Sequence, residues 1–262
     1  MLFTQWKPAD PDDLSPEPVG PNTVAVWRVP LERAAAHLDR CRKVLTGEER
    51  EVAGRYHFPR HGDAFVLSRG YLRLVLGRYL GVAAADIRFR YGEHGKPALA
   101  SPADSGLHFN LSHSGEVALI AVARAPVGVD VEGERAVRNL EDVARRFFTT
   151  GEAGVVAGVP ARRRQEAFFR CWTRKEAVIK ALGGSIADLS DAVDVLRSMR
   201  RLSRPVRLAD PAWTQAQPEG PVSVEGPRTR ALYLVDLPVP RGLQAACCLA
   251  EPIQLVRLYR FG

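Results

Sequence analysis

The sequence contains no uninterrupted apolar run that approaches the roughly 18 residues of a membrane-spanning helix. Its first residues lack the order of positive charge followed by an apolar stretch that defines a secretory signal peptide. We therefore expect a cytoplasmic protein without a membrane partner. With 46% hydrophobic residues among 262, the chain can nevertheless bury a full core, as one large domain or as two smaller ones.

Cysteine is scarce, and its four positions do not suit a crosslink or a zinc site. Cys41 and Cys171 are isolated, while Cys247 and Cys248 are neighbours inside an apolar run. Adjacent cysteines in a strand-like segment fit neither the geometry of a structural disulfide nor the spacing of zinc ligands. We expect all four to be small core residues.

The chain has an excess of basic residues, with a formal net charge of +7 and a pI near 9.5. This balance indicates an anionic partner, which can be a nucleic acid, a phosphorylated cofactor or an acidic protein. The basic residues are spread over several segments, and neither an RRM-type aromatic motif nor a zinc-finger spacing is present.

A short acidic strand is predicted at 127–132, with the sequence VGVDVE. Because side chains alternate along a strand, the three valines would face a core while Asp130 and Glu132 emerge together on the other face, with Cα atoms about 7 Å apart. Two carboxylates held on one rigid face repel unless a positive charge lies between them, and magnesium favours such oxygen ligands together with substrate phosphates. Gly128 would let another backbone or a ligand approach closely. The alternative is an edge strand with a solvated acidic face.

The first half of the chain combines a proline-rich segment, a strand and helices. Thr46 and Glu49 have the spacing of a capping box. A long helix predicted at 62–79 would end at Gly81 and leave Arg69 and Arg73 on its surface. The other predicted elements are an irregular arm at 1–22, a strand at 23–29, a helix at 31–45 and a strand at 87–91.

Two polar segments follow that can meet an anion. The loop at 92–97 presents Lys96 on a tight turn, where its three donors can contact a phosphate. Ser112 and His113 are predicted at the tip of a hairpin between two apolar strands, the second at 117–123. No acid accompanies them in a recognisable elbow, so a hydrolase triad is not indicated.

The second half repeats this general order. Helices are predicted at 140–148, from 150 and at 162–182, and strands at 231–236 and 243–250, with loops and short strands at 198–230. Trp172, Glu176 and Lys180 have the spacing that places them on one face of the longest helix. A Glu and Lys pair at this spacing is also common on solvated helix surfaces. The pattern predicts an α+β fold with two similar α/β sandwich-like halves that meet near residue 126.

Four motifs occur in a fixed order that resembles one enzyme family. They are GKP at 95–97, FNLSHS at 109–114, VGVDVE at 127–132 and WTRKEAVIK at 172–180. Together they resemble the 4′-phosphopantetheinyl transferases, in particular the large two-lobed Sfp-type branch. The resemblance implies two lobes, at 23–125 and 126–262, related by pseudo-two-fold symmetry with the site at their interface. It also implies transfer of phosphopantetheine from coenzyme A to a serine of an apo acyl or peptidyl carrier protein, with release of adenosine 3′,5′-bisphosphate.

The resemblance assigns roles to individual residues. Asp130, Glu132 and Glu176 would hold a magnesium ion, for which manganese is an alternative, at the coenzyme A pyrophosphate. Lys180 would stabilise or protonate the leaving group, and we hypothesise that Glu176 accepts the serine proton. Further coenzyme A contacts are implied for Arg60, Arg69, Lys96, Ser112, His113 and Lys175, with His113 on the 3′-phosphate, while Trp172 would pack the helix against the sheet.

The chain departs from some relatives at two places. Phe65 stands where some relatives carry a small polar residue near the cofactor, and the segment 49–52 is less basic than theirs. The pocket wall and the nucleotide contacts are therefore expected to differ there.

Other function classes remain as alternatives. One is a catalytically silent module that binds coenzyme A or a nucleotide, and another is a basic nucleic-acid-binding protein whose affinity would fall steeply with salt. The three carboxylates together with Lys180 argue against both. We expect a monomer that uses an acidic carrier protein of fatty acid, polyketide or nonribosomal peptide biosynthesis and does not bind nucleic acid.

Overall fold

The computed structural model of the protein describes residues 1–11, 13–31, 37–92, 95–103, 105–184, 194–195 and 232–261. Within these ranges the chain forms six α-helices and eleven β-strands, a mixed α/β architecture. The helices are α1 (Leu38–Val44), α2 (Gly47–Gly54), α3 (Pro59–Leu80), α4 (Leu140–Phe147), α5 (Thr150–Gly158) and α6 (Arg164–Leu182). The strands are β1 (Leu2–Phe3), β2 (Lys7–Ala9), β3 (Thr23–Pro30), β4 (Arg88–Tyr91), β5 (Pro97–Ser101), β6 (His108–Ser114), β7 (Val117–Ala123), β8 (Val127–Gly133), β9 (Tyr233–Asp236), β10 (Leu243–Leu249) and β11 (Leu255–Phe261).

The loops and short strands predicted at 198–230 lie outside the described residues. Among the helices that are described, none is both long enough and apolar enough to cross a membrane.

Capping boxes start one helix in each half of the chain. The Thr46 hydroxyl accepts a hydrogen bond from the Glu49 backbone N–H, and the Glu49 carboxylate accepts one from the Thr46 N–H, which confirms the predicted start of α2. Thr149 and Glu152 make the same reciprocal pair at the start of α5. Both helices therefore begin where a local sequence signal places them.

The long helix α3 confirms the prediction at 62–79 and ends at Gly81, which adopts a left-handed φ of 67°. The expected exposure of Arg73 was wrong. Its guanidinium is buried, and its Nε atom donates a hydrogen bond of 2.8 Å to the Glu49 carboxylate. Since Glu49 lies 24 residues earlier in the chain, helical periodicity alone did not reveal this pair.

The larger sheet has the strand order β1-β11-β3-β7-β6, and β2 also pairs with β11. The segment 1–22 was expected to be irregular, but β1 and β2 within it pair with β11 in parallel. The last strand was assigned with 126–262, yet β11 pairs in parallel with β3 of the first half. Parallel pairing joins segments that are distant in sequence, so no local turn signal indicated it.

A three-stranded sheet, in the order β8-β10-β9, belongs to the second half. The first half contains the equivalent order β3-β7-β6. In each half, one strand precedes three helices, the last of them long, and a later hairpin returns its second strand to pair antiparallel with the first. The two halves therefore share one sequence of elements and one pairing scheme.

Strand β8 divides its two faces between a hydrophobic layer and helix α6. The three valines of 127–132 belong to a buried cluster that also contains Val24 and Val26 of β3, which confirms the inward face predicted for them. On the other face, a Cβ atom built on Gly128 would lie 2.0 Å from the Ala177 carbonyl oxygen and 2.5 Å from the Ala181 nitrogen. Only glycine therefore lets the backbone of α6 come this close to the strand.

Candidate functional site

Asp130 lies where β6, β8 and α6 meet. Its Oδ1 atom accepts a hydrogen bond of 2.7 Å from the Ser112 hydroxyl and an ion-paired hydrogen bond of 2.6 Å from Lys180 Nζ. Lys180 Nζ also lies 3.2 Å from the Ser112 hydroxyl oxygen. One strand from each half and the long helix of the second half thus bring three predicted residues into one network.

The Asp130 carboxylate is only partly satisfied by this network. The residue is 4% exposed, and its Oδ2 atom is buried without a hydrogen-bond partner in the part of the chain that the structure describes. Burial raises the pKa of Asp130, while Lys180 and Ser112 act to lower it. A buried carboxylate oxygen without a donor is a site where a cation would be stabilised.

Glu132 is half-buried two residues further along β8. Its Oε2 atom accepts a hydrogen bond of 2.9 Å from the Ser114 hydroxyl and an ion-paired one of 2.8 Å from Arg135 Nη1. Ser114 and Ser112 alternate along β6 and contact the two acidic residues that alternate along β8. No individual role was predicted for Ser114 or Arg135, although Ser114 lies two residues after Ser112 as Glu132 lies two residues after Asp130.

Glu176 lies one helical turn before Lys180 and is half-buried. Burial is the main cause that raises the pKa of its carboxyl, Lys180 opposes this, and the charges of Asp130 and Glu132 raise it further. The Glu176 carboxyl therefore lies within electrostatic range of both acidic residues of β8.

These carboxylates do not form a preassembled metal site. No group of three His, Cys, Asp or Glu side chains within the described ranges is placed to hold a metal ion together. Lys180 and Arg135 supply positive charge to Asp130 and Glu132 instead. The unpartnered Oδ2 atom of Asp130 and the raised pKa values of Asp130 and Glu176 nevertheless fit an all-oxygen site for a hard cation.

His113 lies next to Ser112, but not on a turn. Both residues belong to β6, and the turn that follows it is at Gly115 and Glu116, so the predicted hairpin tip was misplaced. His113 retains contact with solvent. Desolvation of its ring is the first cause that lowers its pKa, and the positive charges of Lys180 and Arg69 lower it further.

Arg69 of α3 lies within electrostatic range of this histidine. Its guanidinium lies 5.7 Å from the ring centroid of Phe65 and 5.9 Å from that of Tyr91. Its Nη1 atom is buried and has no hydrogen-bond partner among the described residues. A guanidinium with an unused buried donor beside an imidazole is suited to an anionic ligand.

Lys96 and Arg60 are placed differently from expectation. Lys96 Nζ donates to the backbone carbonyl oxygens of Val127, at 3.3 Å, and Lys180, so it joins its loop to β8 and α6. Burial first, and then Lys180, lower the pKa of Lys96 to about 8. The exposed Arg60 lies over the Phe58 ring at 5.2 Å, and no described hydrogen bond or ion pair joins it to the Asp130 network.

Lys175 corrects a further expectation, whereas Trp172 does not. The Lys175 ammonium is fully buried and pairs with Glu152 at 2.8 Å, which is not the position of a residue that contacts a cofactor. Trp172 contacts a group of phenylalanine rings and packs against the buried cluster that includes Leu234 of β9 and Cys248 of β10, as expected for a residue that packs α6 against the sheet. These rings are Phe147, Phe148 and Phe168.

Comparison with known proteins gives consistent matches. Residues 126–216 match the family model described as the 4′-phosphopantetheinyl transferase superfamily, and residues 32–125 match the model described as 4′-phosphopantetheinyl transferase, N-terminal. The 4′-phosphopantetheinyl transferase HetI of Nostoc sp. is 39% identical over 219 residues, covering 82% of this chain and 88% of the relative. The 4′-phosphopantetheinyl transferase Sfp of Bacillus subtilis is 28% identical over 215 residues, covering 82% and 86%.

Proposed function

The chain belongs to the 4′-phosphopantetheinyl transferase superfamily, and we propose that it transfers the 4′-phosphopantetheine group of coenzyme A to a serine hydroxyl of an apo acyl or peptidyl carrier protein. In this reaction the serine oxygen forms a bond to the phosphorus that carries the pantetheine. The bond from that phosphorus to the bridging oxygen breaks, and adenosine 3′,5′-bisphosphate leaves.

The network of Lys180, Asp130 and Ser112 carries this proposal. It holds an ammonium group 2.6 Å from a buried carboxylate at the junction of the two halves, and Glu176 and Glu132 lie within electrostatic range of this pair. A cationic donor among acidic groups is the arrangement that a diphosphate and its counter-ion require.

Asp130, Glu132 and Glu176 are the residues that would hold magnesium, with manganese as an alternative. When bound, the metal supplies positive charge that offsets the charge on the phosphoryl oxygens. The unpartnered Oδ2 atom of Asp130 supports this assignment.

The remaining steps fall to side chains of the chain itself. Glu176 accepts the proton of the attacking serine hydroxyl, and its raised pKa brings its basicity closer to that task. Lys180 then stabilises or protonates the oxygen of the leaving bisphosphate. Lys180 already contacts Asp130 of β8, one helical turn after Glu176.

The nucleotide end of coenzyme A is assigned to the basic groups beside this network. Arg69 offers its unused Nη1 donor, and His113 lies within its electrostatic reach, so we assign both to the 3′-phosphate. We keep the assignment of Ser112 to the phosphates. Arg60 stays assigned to the surroundings of the cofactor. Two of the three N–H donors of Lys96 are used by carbonyl oxygens, so one remains for a phosphate.

The remaining features of the proposal concern the whole protein. The shared order of elements supports two lobes, at 23–125 and 126–262, related by pseudo-two-fold symmetry, with β11 of the second segment completing the first sheet. We propose that one copy of the chain suffices for the site and acts in the cytoplasm. The net charge of +7 favours an acidic carrier protein.

Incubation of the protein with coenzyme A, magnesium and a panel of apo carrier proteins, followed by mass spectrometry, tests the proposal. We expect one carrier to gain the mass of one phosphopantetheine, with chelation of divalent cations abolishing the gain. Binding of coenzyme A without transfer to any carrier would instead identify a catalytically silent binding module.

A further inference from the structure

The fully buried ion pair between Lys175 and Glu152 lies outside the proposed chemistry. Both side chains are 0% exposed, and Lys175 Nζ lies 2.8 Å from Glu152 Oε2. Removing a charge from water is costly unless a partner compensates for it, so this pair strongly resists separation.

Glu152 is itself held from several directions. Its Oε2 atom also accepts the Thr149 backbone N–H at 2.8 Å as part of the capping box of α5. Its Oε1 atom accepts the Val195 backbone N–H at 2.8 Å. The carboxylate that pairs with Lys175 is therefore held in place by backbone N–H groups at the start of α5 and in the segment after α6.

Lys175 precedes Glu176 directly in α6. Neighbouring residues of an α-helix point about 100° apart, so fixing the direction of one fixes the direction of the next. A rotation of α6 that turned Glu176 away from Asp130 would also pull Lys175 from Glu152. That movement would leave two buried charges unpaired.

The first half contains an equivalent pair on a helix that carries no proposed metal ligand. Glu49, at the same position of its capping box, receives buried Arg73 from α3 at 2.8 Å. The residue after Arg73 is Leu74, which has no group for catalysis. The Arg73 pair is therefore a natural control, because it shares the burial and architecture of the Lys175 pair.

We propose that Glu152 and Lys175 are positioning residues that set the rotation of α6, so that Glu176 and Lys180 face Asp130. The inference rests on the proposed function for its chemical meaning. It replaces the coenzyme A contact expected of Lys175 with an action through Glu176.

The test compares Lys175→Met with Arg73→Met. Binding of Mn²⁺ is measured by EPR titration without coenzyme A, at a temperature where circular dichroism shows both variants to be folded. We expect Lys175→Met to weaken Mn²⁺ binding by about ten- to hundred-fold, the range typical of supporting residues, and to lower kcat. Arg73→Met should lower Tm comparably while its Mn²⁺ affinity remains that of the unsubstituted protein.

A second variant keeps the test decisive. The double variant Glu152→Gln, Lys175→Gln replaces the ion pair with a neutral hydrogen bond, and it should recover most of the Mn²⁺ affinity lost by Lys175→Met. If Lys175→Met does not fold, Lys175→Gln, whose amide still donates to Glu152, takes its place in the comparison.

Two results would overturn the inference. Unchanged Mn²⁺ affinity and kcat in a destabilised Lys175→Met variant would leave the pair a purely structural role. A raised KM for coenzyme A with unchanged Tm and Mn²⁺ affinity would make Lys175 a cofactor contact. If the unsubstituted protein transfers nothing but the Mn²⁺ results are as expected, the proposed function fails and the positioning inference stands.

Discussion

At the scale of single residues, Glu176 is a half-buried carboxylate within electrostatic range of two others of the same charge. Replacing it with glutamine retains its size but removes its charge and its capacity to accept a proton. We expect Glu176→Gln to reduce turnover by about 10²–10⁴-fold, the usual contribution of a general base, with coenzyme A binding partly retained.

The matched control is Glu166→Gln, because Glu166 lies in the same helix but forms a surface pair with Arg163. Its turnover should equal that of the unsubstituted protein. A steady-state assay with a purified apo carrier separates the two variants, and unchanged turnover in Glu176→Gln would remove its proposed role.

Arg135 supports a second prediction at this scale. Its side chain is 61% exposed and pairs with Glu132, one of the proposed metal ligands. A metal that binds Glu132 must compete with this guanidinium. Since exposed pairs contribute at most about 1 kcal/mol, Arg135→Gln should tighten Mn²⁺ binding by up to about five-fold.

Arg145→Gln is the corresponding control, because Arg145 forms a similarly spaced surface pair with Asp142. Its Mn²⁺ affinity should not change. Weaker Mn²⁺ binding in Arg135→Gln, measured by EPR titration, would show that Arg135 assists rather than competes with the cation.

At the scale of elements, the contact between β8 and α6 depends on the absence of a side chain at Gly128. A methyl group there would overlap the Ala177 carbonyl oxygen, so α6 would have to move away from the strand. We expect Gly128→Ala to cost about 1–3 kcal/mol of unfolding free energy and to reduce activity further, since Glu176 and Lys180 would move with the helix.

Gly154→Ala tests whether this effect is specific. Gly154 lies in α5, and a Cβ atom there meets nothing within 4 Å. The control should be neutral or slightly stabilising in urea unfolding. Equal stability of the two variants would mean that the close approach at Gly128 is not needed.

The ion pairs between β9 and α6 should weaken at low pH. Asp236 accepts hydrogen bonds from Arg170 at 2.7 Å and from Arg174 at 2.6 Å. Burial alone would raise its pKa, but Arg174 and then Arg170 lower it from 3.8 to about 2. A carboxyl whose pKa is lowered on folding stabilises the protein above its unfolded pKa, and this contribution is lost as the pH falls from about 4 to about 2.

Asp236→Asn should therefore destabilise the protein by about 3 kcal/mol at pH 7, because two arginines lose their buried counter-charge. The difference from the unsubstituted protein should shrink by about 2 kcal/mol at pH 2. Urea unfolding at both pH values measures this change, with the exposed Asp142→Asn as the control. A difference that is the same at both pH values would contradict the assignment.

Local signals predicted the elements better than they predicted the contacts between them. Thr46 and Gly81 marked helix ends because capping acts over a few residues. The pairing of β11 with β3 and the burial of Lys175 against Glu152 join positions that are distant in the chain. No periodicity over one segment contains that information, so these contacts required the structure.

At the scale of the whole molecule, the net charge of +7 should govern how the protein meets its partner. Attraction between a basic surface and an acidic carrier is screened as the Debye length falls from about 10 Å at 0.1 M salt to about 3 Å at 1 M. We expect kcat/KM for the carrier to fall as NaCl is raised, while kcat at saturating carrier changes much less. If kcat/KM does not depend on salt, charge does not steer the encounter.

More of the candidate site than of the surrounding fold could be predicted from the sequence. Strand alternation paired Asp130 with Glu132 and helical spacing paired Glu176 with Lys180, but the family resemblance joined them into one site. The structure brings Lys180 to Asp130. Arg135 and the supporting Glu152 were not named, because an exposed arginine and a helix-capping glutamate are common without any function. Motifs that carry chemistry are short and local, whereas the residues that hold them in place come from distant parts of the chain.

The placement of β11 has a consequence for the order in which the protein is made. Strand β3 is synthesised well before residues 255–260, which are its parallel neighbour on one side. Until those residues are made, one edge of β3 has backbone groups without their final partners. The nascent chain must therefore keep its first sheet unfinished during this interval, which is when a chaperone would be of most use.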